Sequence, residues 1–203
     1  MLDCAAIRPV KPVVGMTPFK GPMSVRLLVL ILIVSAGCVH RIEVNPLPTS
    51  PTSTTISRSL QLMVGSLALE GADHRPGIIF LEWPSHDLSR AIIRYARERG
   101  TFSSVSPNSA DLRLRITAKL ALASRQGRYH YQIRLQGETS QGDQPVKDYV
   151  TERTVAGSMV RWVAASDRDP IEAALQLALD DLFGWIEADR TLYVGQVERS
   201  SRE

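Results

Sequence analysis

Cysteine is scarce in this sequence, which has only Cys4 and Cys38 among its 203 residues. Cys4 lies before Met23, and the residues from Met23 onward form a signal of ordinary length by themselves. We therefore interpret residues 1–22 as an incorrect upstream start, so that the mature chain keeps one cysteine. A fold held by disulfides is excluded in that case, and the domain must be stable through its hydrophobic core.

Long hydrophobic runs are also absent. The apolar segment from Val25 to Val39 covers 15 residues, whereas a helix needs about 20 residues to span a bilayer. An arginine, an apolar run and three small residues in this segment are typical of a cleaved signal peptide, which we assign to residues 1–37. The small residues before Cys38 resemble the lipobox of bacterial lipoproteins, which implies cleavage after Gly37 and acyl chains on Cys38. An ordinary cleaved signal or an uncleaved anchor is the alternative.

Positive charge is not in excess once the signal peptide is removed. Residues 1–37 contain four of the 24 basic residues and one of the 21 acidic ones, so both signs are equally frequent in the mature chain. Because nucleic acid requires a concentrated basic face, we predict no nucleic-acid partner. Membrane attachment would come from the acyl chains on Cys38, at about 0.8 kcal/mol for each buried methylene group.

Val39 follows the predicted lipidation site. An aspartate at this position would resemble the signal that retains lipoproteins in the inner membrane of enteric bacteria. Its absence favours the outer membrane, with the protein on the periplasmic side.

Side chains able to build a core are rare from Asn45 to Ser59, where proline, serine and threonine dominate. This composition predicts that residues 38–59 are a lipidated N-terminus and a tether, which would hold the domain some tens of ångströms from the lipid. Residues 60–193 then form one domain of normal size. Residues 194–203 are predicted to be a disordered tail.

Hydrophobic periodicity predicts the elements of this domain. Alternation of apolar and polar residues indicates strands, and apolar residues at i, i+3, i+4 and i+7 indicate helices. Asp87 or Ser85 is expected to cap the first helix, and Asp169 followed by Pro170 the second. The predicted strands are 60–69, 78–83, 112–122, 128–135 and 149–159, and the predicted helices are 87–99 and 170–189. This order predicts an α+β fold, a mainly antiparallel sheet with two helices packed on one face.

Several short motifs resemble the YajG-like family of small bacterial lipoproteins, whose function is uncharacterised. They are a lipobox cysteine followed by Ile42–Val44, the loop Gly71–Arg75, a helix before Arg99 and Gly100, and Ser124–Ile133 between two long strands. The segment between Gly71 and Leu88 is shorter here than in that family. At the level of the fold, the layout also resembles LptE-like and PqiC-like envelope lipoproteins. The resemblance implies no catalytic residues.

Candidate catalytic and metal-binding residues are few. Ser85, His86 and Asp87 are consecutive at a helix start, where capping explains them better than a relay. Asp73, His74 and Arg75 fit a loop, and the other histidines and carboxylates are too scattered for a metal site. Asp180 and Asp181 are neighbours on a helix and should point apart. We predict no catalytic residue, no metal site and no cofactor.

Basic side chains alternate with apolar ones along the two strongest strands and could gather on one sheet face. Such a face could bind lipid phosphate or an acidic partner. The alternative is a solvated face balanced by nearby carboxylates. The five residues are Arg113, Arg115, Lys119, Arg128 and Arg134.

Tryptophans offer a second sign of a docking surface. Trp83, Trp162 and Trp185 are interpreted as core or rim residues, unless one is exposed beside an apolar patch. Together these features predict a non-enzymatic lipoprotein anchored in the outer membrane, which docks an envelope protein or binds lipid. The alternatives are a hydrolase acting on wall or lipid, and an accessory subunit of a lipopolysaccharide or lipid transport system.

Overall fold

Seven strands and three helices form the part of the protein that the computed structural model describes, residues 39–70, 80–106, 108–157 and 165–194. The strands are β1 Val39–Arg41, β2 Ile56–Glu70, β3 Phe80–Glu82, β4 Phe102–Ser106, β5 Leu112–Arg125, β6 Arg128–Gln141 and β7 Gln144–Ala156. The helices are α1 Ser85–Arg99, α2 Ala165–Ala188 and α3 Thr191–Val194. No helix in these ranges is both long and apolar enough to cross a bilayer.

Several predictions concern residues outside these ranges. They are the signal peptide 1–37, the lipidation site Cys38, the loop residues Asp73, His74 and Arg75, Trp162, and the tail after Val194.

The main sheet has five strands in the order β4-β2-β5-β6-β7, and β1 and β3 pair in parallel in a second small sheet. β5, β6 and β7 are antiparallel in succession, whereas β2 is parallel to both of its neighbours. Most paired residues of the main sheet belong to the antiparallel pairs, which confirms the prediction of a mainly antiparallel sheet. The parallel pairing of β2 requires crossover connections, which the hydrophobic pattern does not encode.

Strict alternation along β5 and β6 separates a buried face from an exposed one. Every second residue from Leu112 to Leu122 is buried, and the residues between them are exposed or half-buried. On β6 the buried positions include Tyr131 and Ile133, each 1% exposed. Burying one such large apolar side chain contributes roughly 1.5–3 kcal/mol, so this face is a major part of the core.

Both long helices cover this buried face. α1 contacts β2 and β4, and α2 contacts β6 and β7. Gly137 on β6 leaves room for α2, because a Cβ atom there would lie 3.1 Å from Leu182. The rings of Tyr95 and Phe183 lie 5.7 Å apart between the two helices. The predicted α+β fold, with two helices on one face of the sheet, is confirmed.

α1 begins two residues before its predicted start and has a different cap. Pro84 occupies the cap position and no side chain forms a capping hydrogen bond, so neither Ser85 nor Asp87 is the cap. Asp87 lies in the first turn, where a negative charge is favourable beside the unpaired N–H groups. Gly100 ends the helix with φ 75° and donates a hydrogen bond to the carbonyl of Ala96 at 3.3 Å, as its position predicted.

α2 begins at Ala165, earlier than the predicted start at Pro170. Asp167, in the added turn, is fully buried and accepts a hydrogen bond from the Tyr131 hydroxyl on β6. This contact is far apart in the sequence, so local capping signals at Asp169 did not reveal it. Pro170 is the sixth residue of this helix, beyond its first turn, so the missing N–H of proline removes one helical hydrogen bond.

Residues 42–55, which we call the strap, lie along both helices. Ile42 and Val44 are 1% and 6% exposed. The N–H of Asn45 donates to Glu172 on α2 at 2.9 Å, and the N–H of Thr52 donates to the carbonyl of Arg99 on α1 at 2.9 Å. The strap therefore differs from the tether predicted for residues 38–59, because it is bonded to both helices and strand β1 precedes it.

Candidate functional site

Four of the five basic residues selected from the sequence lie on the exposed face of the sheet. Arg113, Arg115 and Lys119 alternate with buried residues of β5, and Lys119 is directly opposite Arg134 on β6. This face points away from both helices. The register of β5 and β6 thus places these four residues on the same face of the sheet.

Acidic side chains are interspersed with this basic set. The Nζ of Lys119 lies 2.6 Å from Glu70, Arg134 lies 3.9 Å from Glu152, and Arg115 is directly opposite Glu138. Exposed ion pairs of this kind contribute about 0.2–1 kcal/mol each and neutralise the local charge. Most of this surface is therefore a solvated face on which carboxylates balance the basic side chains.

Two shallow depressions of about 300 Å³ each interrupt the same face. Arg113 and Arg115 line one of them together with three carboxylates, which would repel an anion. Lys119 and Arg134 line the other, beside small and polar side chains. Their volumes are at the lower limit for a small-molecule site, so neither is an enclosed binding pocket.

Arg128 does not belong with the other four residues. It follows the turn between β5 and β6 and is paired in register with Arg125, so that both arginines stand at the tip of this hairpin. Gln126 and Gly127 form the two-residue turn with φ 51° and 75°, the positive values of a type I′ turn. Both arginine side chains are exposed. This pair was not predicted as a separate site, because alternation along β6 assigned Arg128 to the sheet face.

A polar network joins the two helices and was not predicted. Arg99, only 8% exposed, places its Nη1 2.8 Å from Asp180 and its Nε 2.8 Å from Glu187. The Tyr95 hydroxyl donates to Asp180, and the Thr101 hydroxyl donates to Glu187 at 2.6 Å. The one sign in the sequence was a charged residue, Arg99, one turn after Tyr95 on the apolar face of α1.

Burial and charge shift the pKa values in this network. Burial, and then the hydrogen bond to Asp180, raise the pKa of Tyr95. Burial opposes ionisation of Glu187, but hydrogen bonds from Arg99 and Thr101 outweigh it and lower its pKa. Burial alone would lower the pKa of Arg99, yet its bonds to Glu187 and Tyr95 raise it overall. At neutral pH the network is therefore a fixed arrangement of charges and donors rather than an acid–base pair.

The strap is bonded to the same network. The Thr49 hydroxyl donates to Asp180 at 2.6 Å and accepts a hydrogen bond from Gln176 at 3.2 Å. Its side chain is exposed, so water can compete for these bonds. The strap covers the seam between the helices through a few polar contacts and the buried side chains near Ile42.

A small depression of about 230 Å³ lies where the strap begins. Arg94 on α1 donates a hydrogen bond to Asn45, and the Nε of Arg168 on α2 lies 3.7 Å from Glu172. The sequence did not predict this site, because its two arginines belong to different helices and the strap was not expected to dock between them. The lining residues are Glu43, Val44, Asn45, Arg94 and Arg168.

The consecutive residues Ser85, His86 and Asp87 do not form a relay. The Nε2 of His86 lies 3.1 Å from Asp87, and Asp87 also accepts a hydrogen bond from Arg90. Ser85 is adjacent in the helix, where neighbouring side chains point in different directions. Within the described ranges, no group of three or more histidine, cysteine, aspartate or glutamate side chains is placed to hold a metal ion.

Asp180 and Asp181 point apart, as their adjacency on a helix predicted. Asp180 contacts Arg99 inside the helix seam, whereas Asp181 forms a salt bridge with Arg153 on β7. The described tryptophans also differ from each other. Trp83 is buried in the core, and Trp185 on α2 is 46% exposed.

This arrangement defines the class of protein as an α+β domain, with one mixed main sheet covered on one face by two helices. Protein XCC0632 from Xanthomonas campestris, of the family model DUF330, has a similar crystal structure. The TM-score is 0.51 at 19% sequence identity, over 82% of this chain and 100% of that chain. This similarity shows the shared fold.

Bacterial lipoproteins are among the other solved structures that are similar to this chain. A minor lipoprotein from Acinetobacter baumannii has a TM-score of 0.36 at 14% identity, over 64% of this chain and 90% of its own. The rare lipoprotein B from Shewanella oneidensis has a TM-score of 0.32 at 10% identity, over 71% and 99%. These scores are too low to support an argument about function. No protein-family model and no curated protein matches the sequence.

Proposed function

We propose that this chain is a lipid-anchored protein of the bacterial envelope that docks a partner or binds lipid without enzymatic activity. It is held in the outer membrane on the periplasmic side. The observation that carries the proposal is the lipobox-like sequence ending at Cys38, followed within four residues by Ile42, which is 1% exposed. A folded domain thus begins directly after the predicted anchor.

The polar groups of the helix seam support a structural role. Asp180 and Glu187 are engaged by Arg99 and by hydroxyl groups, and their contacts hold the strap and both helices together. Carboxylates held in this way are not available as a general acid and base, which require a reacting group within hydrogen-bond distance. The exposed arginines remain the groups able to meet a lipid or an acidic partner.

Incorporation of radiolabelled palmitate, combined with membrane fractionation, tests the anchor. We expect the unmodified chain to take up label and to be recovered with the outer membrane, and Cys38→Ala to lose both properties. Ser50→Ala is the matched control, because it truncates a similarly small side chain at an exposed position outside the lipobox and should change neither result. Label that persists in Cys38→Ala, or a mature form that leaves the membrane in both proteins, would refute the proposed anchor.

A further inference from the structure

The chain between the predicted anchor and the folded domain is very short. Ile42 is buried and residues 39–41 form β1, which pairs with β3, so at most three residues separate the lipidated cysteine from a fixed point of the domain. Four residues of extended chain reach at most about 14 Å. With acyl chains on Cys38, the surface around Ile42 must therefore lie close to the headgroups of the bilayer.

A series of contacts leads from Ile42 to the tip of the β5–β6 hairpin. The depression after Ile42 is lined by Arg168, at the start of α2. Its neighbour Asp167 is bonded to Tyr131, which lies three residues after Arg128 on β6. The strap entry, the start of α2 and this hairpin tip are therefore at the same end of the domain, which we call the anchor end.

The hairpin tip holds two positive charges side by side. Arg125 and Arg128 are direct cross-strand neighbours, and like charges in this position destabilise a hairpin. Within the described part of the chain, neither has a carboxylate at salt-bridge distance, whereas Lys119 and Arg134 on the same sheet face do. The tip thus presents positive charge that the described residues do not neutralise.

Arg94 and Arg168 add positive charge beside the strap. Arg94 is bonded to a neutral amide, Asn45, and Arg168 is only 3.7 Å from Glu172, which also accepts from the N–H of Asn45. Exposed Glu43, Glu98 and Asp169 are the acidic side chains nearby in the sequence. These four arginines belong to four different elements, α1, β5, β6 and α2, although the mature chain has no net positive charge.

We propose that the anchor end faces the bilayer that holds Cys38, and that Arg94, Arg125, Arg128 and Arg168 contact the phosphates of anionic lipid headgroups. The inference rests on the proposed function for the lipid on Cys38. Each arginine close to an anionic membrane raises the binding constant for the membrane by about five-fold. This attraction acts within a Debye length of about 10 Å. The short connection keeps the anchor end near that range, so the acyl chains supply attachment and the arginines supply orientation.

Energy transfer to a headgroup-labelled lipid tests the orientation. Because lipid blocks the sulfur of Cys38 in the mature protein, a dye can be attached to the single free thiol of Gln126→Cys, or of Asp143→Cys at the β6–β7 turn. These turns are at opposite ends of the 14-residue strand β6, about 40 Å apart. The full lipidated protein is placed in phosphatidylcholine vesicles with and without phosphatidylglycerol. We expect stronger transfer from position 126 than from 143, increased by phosphatidylglycerol.

A matched pair of double variants identifies the residues responsible. Arg125→Gln with Arg128→Gln should weaken the phosphatidylglycerol-dependent contact by about five-fold for each arginine. Arg113→Gln with Arg115→Gln makes the same change of charge toward the other end of β5 and should leave the contact unchanged. Three outcomes would overturn the proposal. They are equal energy transfer from both turns, energy transfer that does not depend on phosphatidylglycerol, and an equal loss of contact in both double variants. Flotation of the Cys38→Ala variant with vesicles tests the anchor separately. A variant that still floats would refute the lipid on Cys38, which belongs to the proposed function, and would not by itself bear on the orientation.

Discussion

At the scale of single residues, Arg99 is the side chain on which the two helices and the strap depend. Its guanidinium is shared between Asp180 and Glu187, and its backbone carbonyl accepts from Thr52 of the strap. A buried charge is stable only when its hydrogen bonds are satisfied. This explains why Arg99 has two carboxylate partners, two turns apart on α2, and also donates a hydrogen bond to the Tyr95 hydroxyl at 3.2 Å.

Glu187 makes the stability of the protein depend on acid pH. Its pKa is lowered in the folded state, so its contribution is fully present above its unfolded pKa of about 4.3 and is lost as the pH falls toward the folded value. We expect Glu187→Gln to lower the free energy of unfolding by about 2 kcal/mol at pH 7, since Arg99 loses a charged partner. The difference from the unmodified protein should shrink between pH 5 and pH 3.

Urea unfolding at several pH values measures this effect. Glu98→Gln on α1 is the matched control, because the same chemical change occurs on an exposed side chain and should cost less than about 0.5 kcal/mol. A difference between Glu187→Gln and the unmodified protein that is constant with pH would contradict the assigned role of the carboxylate.

At the scale of elements, the strap is the segment whose behaviour composition describes least well. It is rich in proline and hydroxyl residues, yet Ile42 and Val44 are buried and its N–H groups find partners on both helices. Proline and threonine suit an extended segment whether it is free in solvent or lies along a groove. The partners of the strap decide between these states, and they lie on two helices far away in the sequence, from Arg94 on α1 to Asp180 on α2.

Truncation of Ile42 tests whether the strap is an integral part of the domain. We expect Ile42→Ala to lower the free energy of unfolding by about 2–4 kcal/mol, because it leaves a cavity in a fully buried position. Leu47→Ala removes a comparable side chain that is 52% exposed in the same segment, and should cost less than about 0.5 kcal/mol. Equal and small effects in urea unfolding would show that residues 42–55 are a free tether.

Local periodicity predicted the elements whose own residues alternate strongly. Leu112 to Leu122 in β5 and the apolar stripe around Tyr95 in α1 needed no distant information. β4 was missed, because Phe102–Ser106 is a short edge strand with few apolar residues and gains its place by pairing with β2. Pairing direction, docking of the strap and the early start of α2 all depend on contacts between residues far apart in the sequence.

The candidate site was also predictable only where local alternation determines it. Alternation placed Arg113, Arg115, Lys119 and Arg134 on one face, but only the register showed how closely carboxylates accompany them. Arg128 has the same alternation and lies at the hairpin tip, where its neighbour is Arg125. A pattern along one strand fixes which face a residue occupies, whereas its electrostatic surroundings depend on the adjacent strands and loops.

At the scale of the whole molecule, stability is distributed unevenly between the sheet and the strap. β5 and β6 each pair with strands on both sides over most of their length. The strap is held by a few hydrogen bonds of its backbone N–H groups, those of Asn45 and Thr52 among them. Regions with few such bonds open at lower free energy than the rest of the fold.

Native-state amide hydrogen exchange should resolve this difference. We expect the free energy of opening at Asn45 and Thr52 to be lower by about 2 kcal/mol or more than at Leu114 and Ile133, because the strap can detach while the sheet stays folded. A variant at the strap entry, Ile42→Ala, should accelerate exchange in the strap more than in β5. Equal protection in the strap and the sheet would show that the strap opens only with global unfolding.

The place of β2 between two parallel neighbours, β4 and β5, affects the order in which the protein can fold. Ribosomes make this strand early, but its partners β4 and β5 are made only after α1. The strap cannot dock until Glu172 and Asp180 are made, which follow their partners Asn45 and Thr49 by 127 and 131 residues. Contacts so distant in sequence make folding slow. An exported chain benefits from this delay, because it must pass through the translocation channel before it folds. In the proposed envelope protein, lipid would be joined to Cys38 while the domain is still open, and closure of the strap would then draw the finished domain against the bilayer.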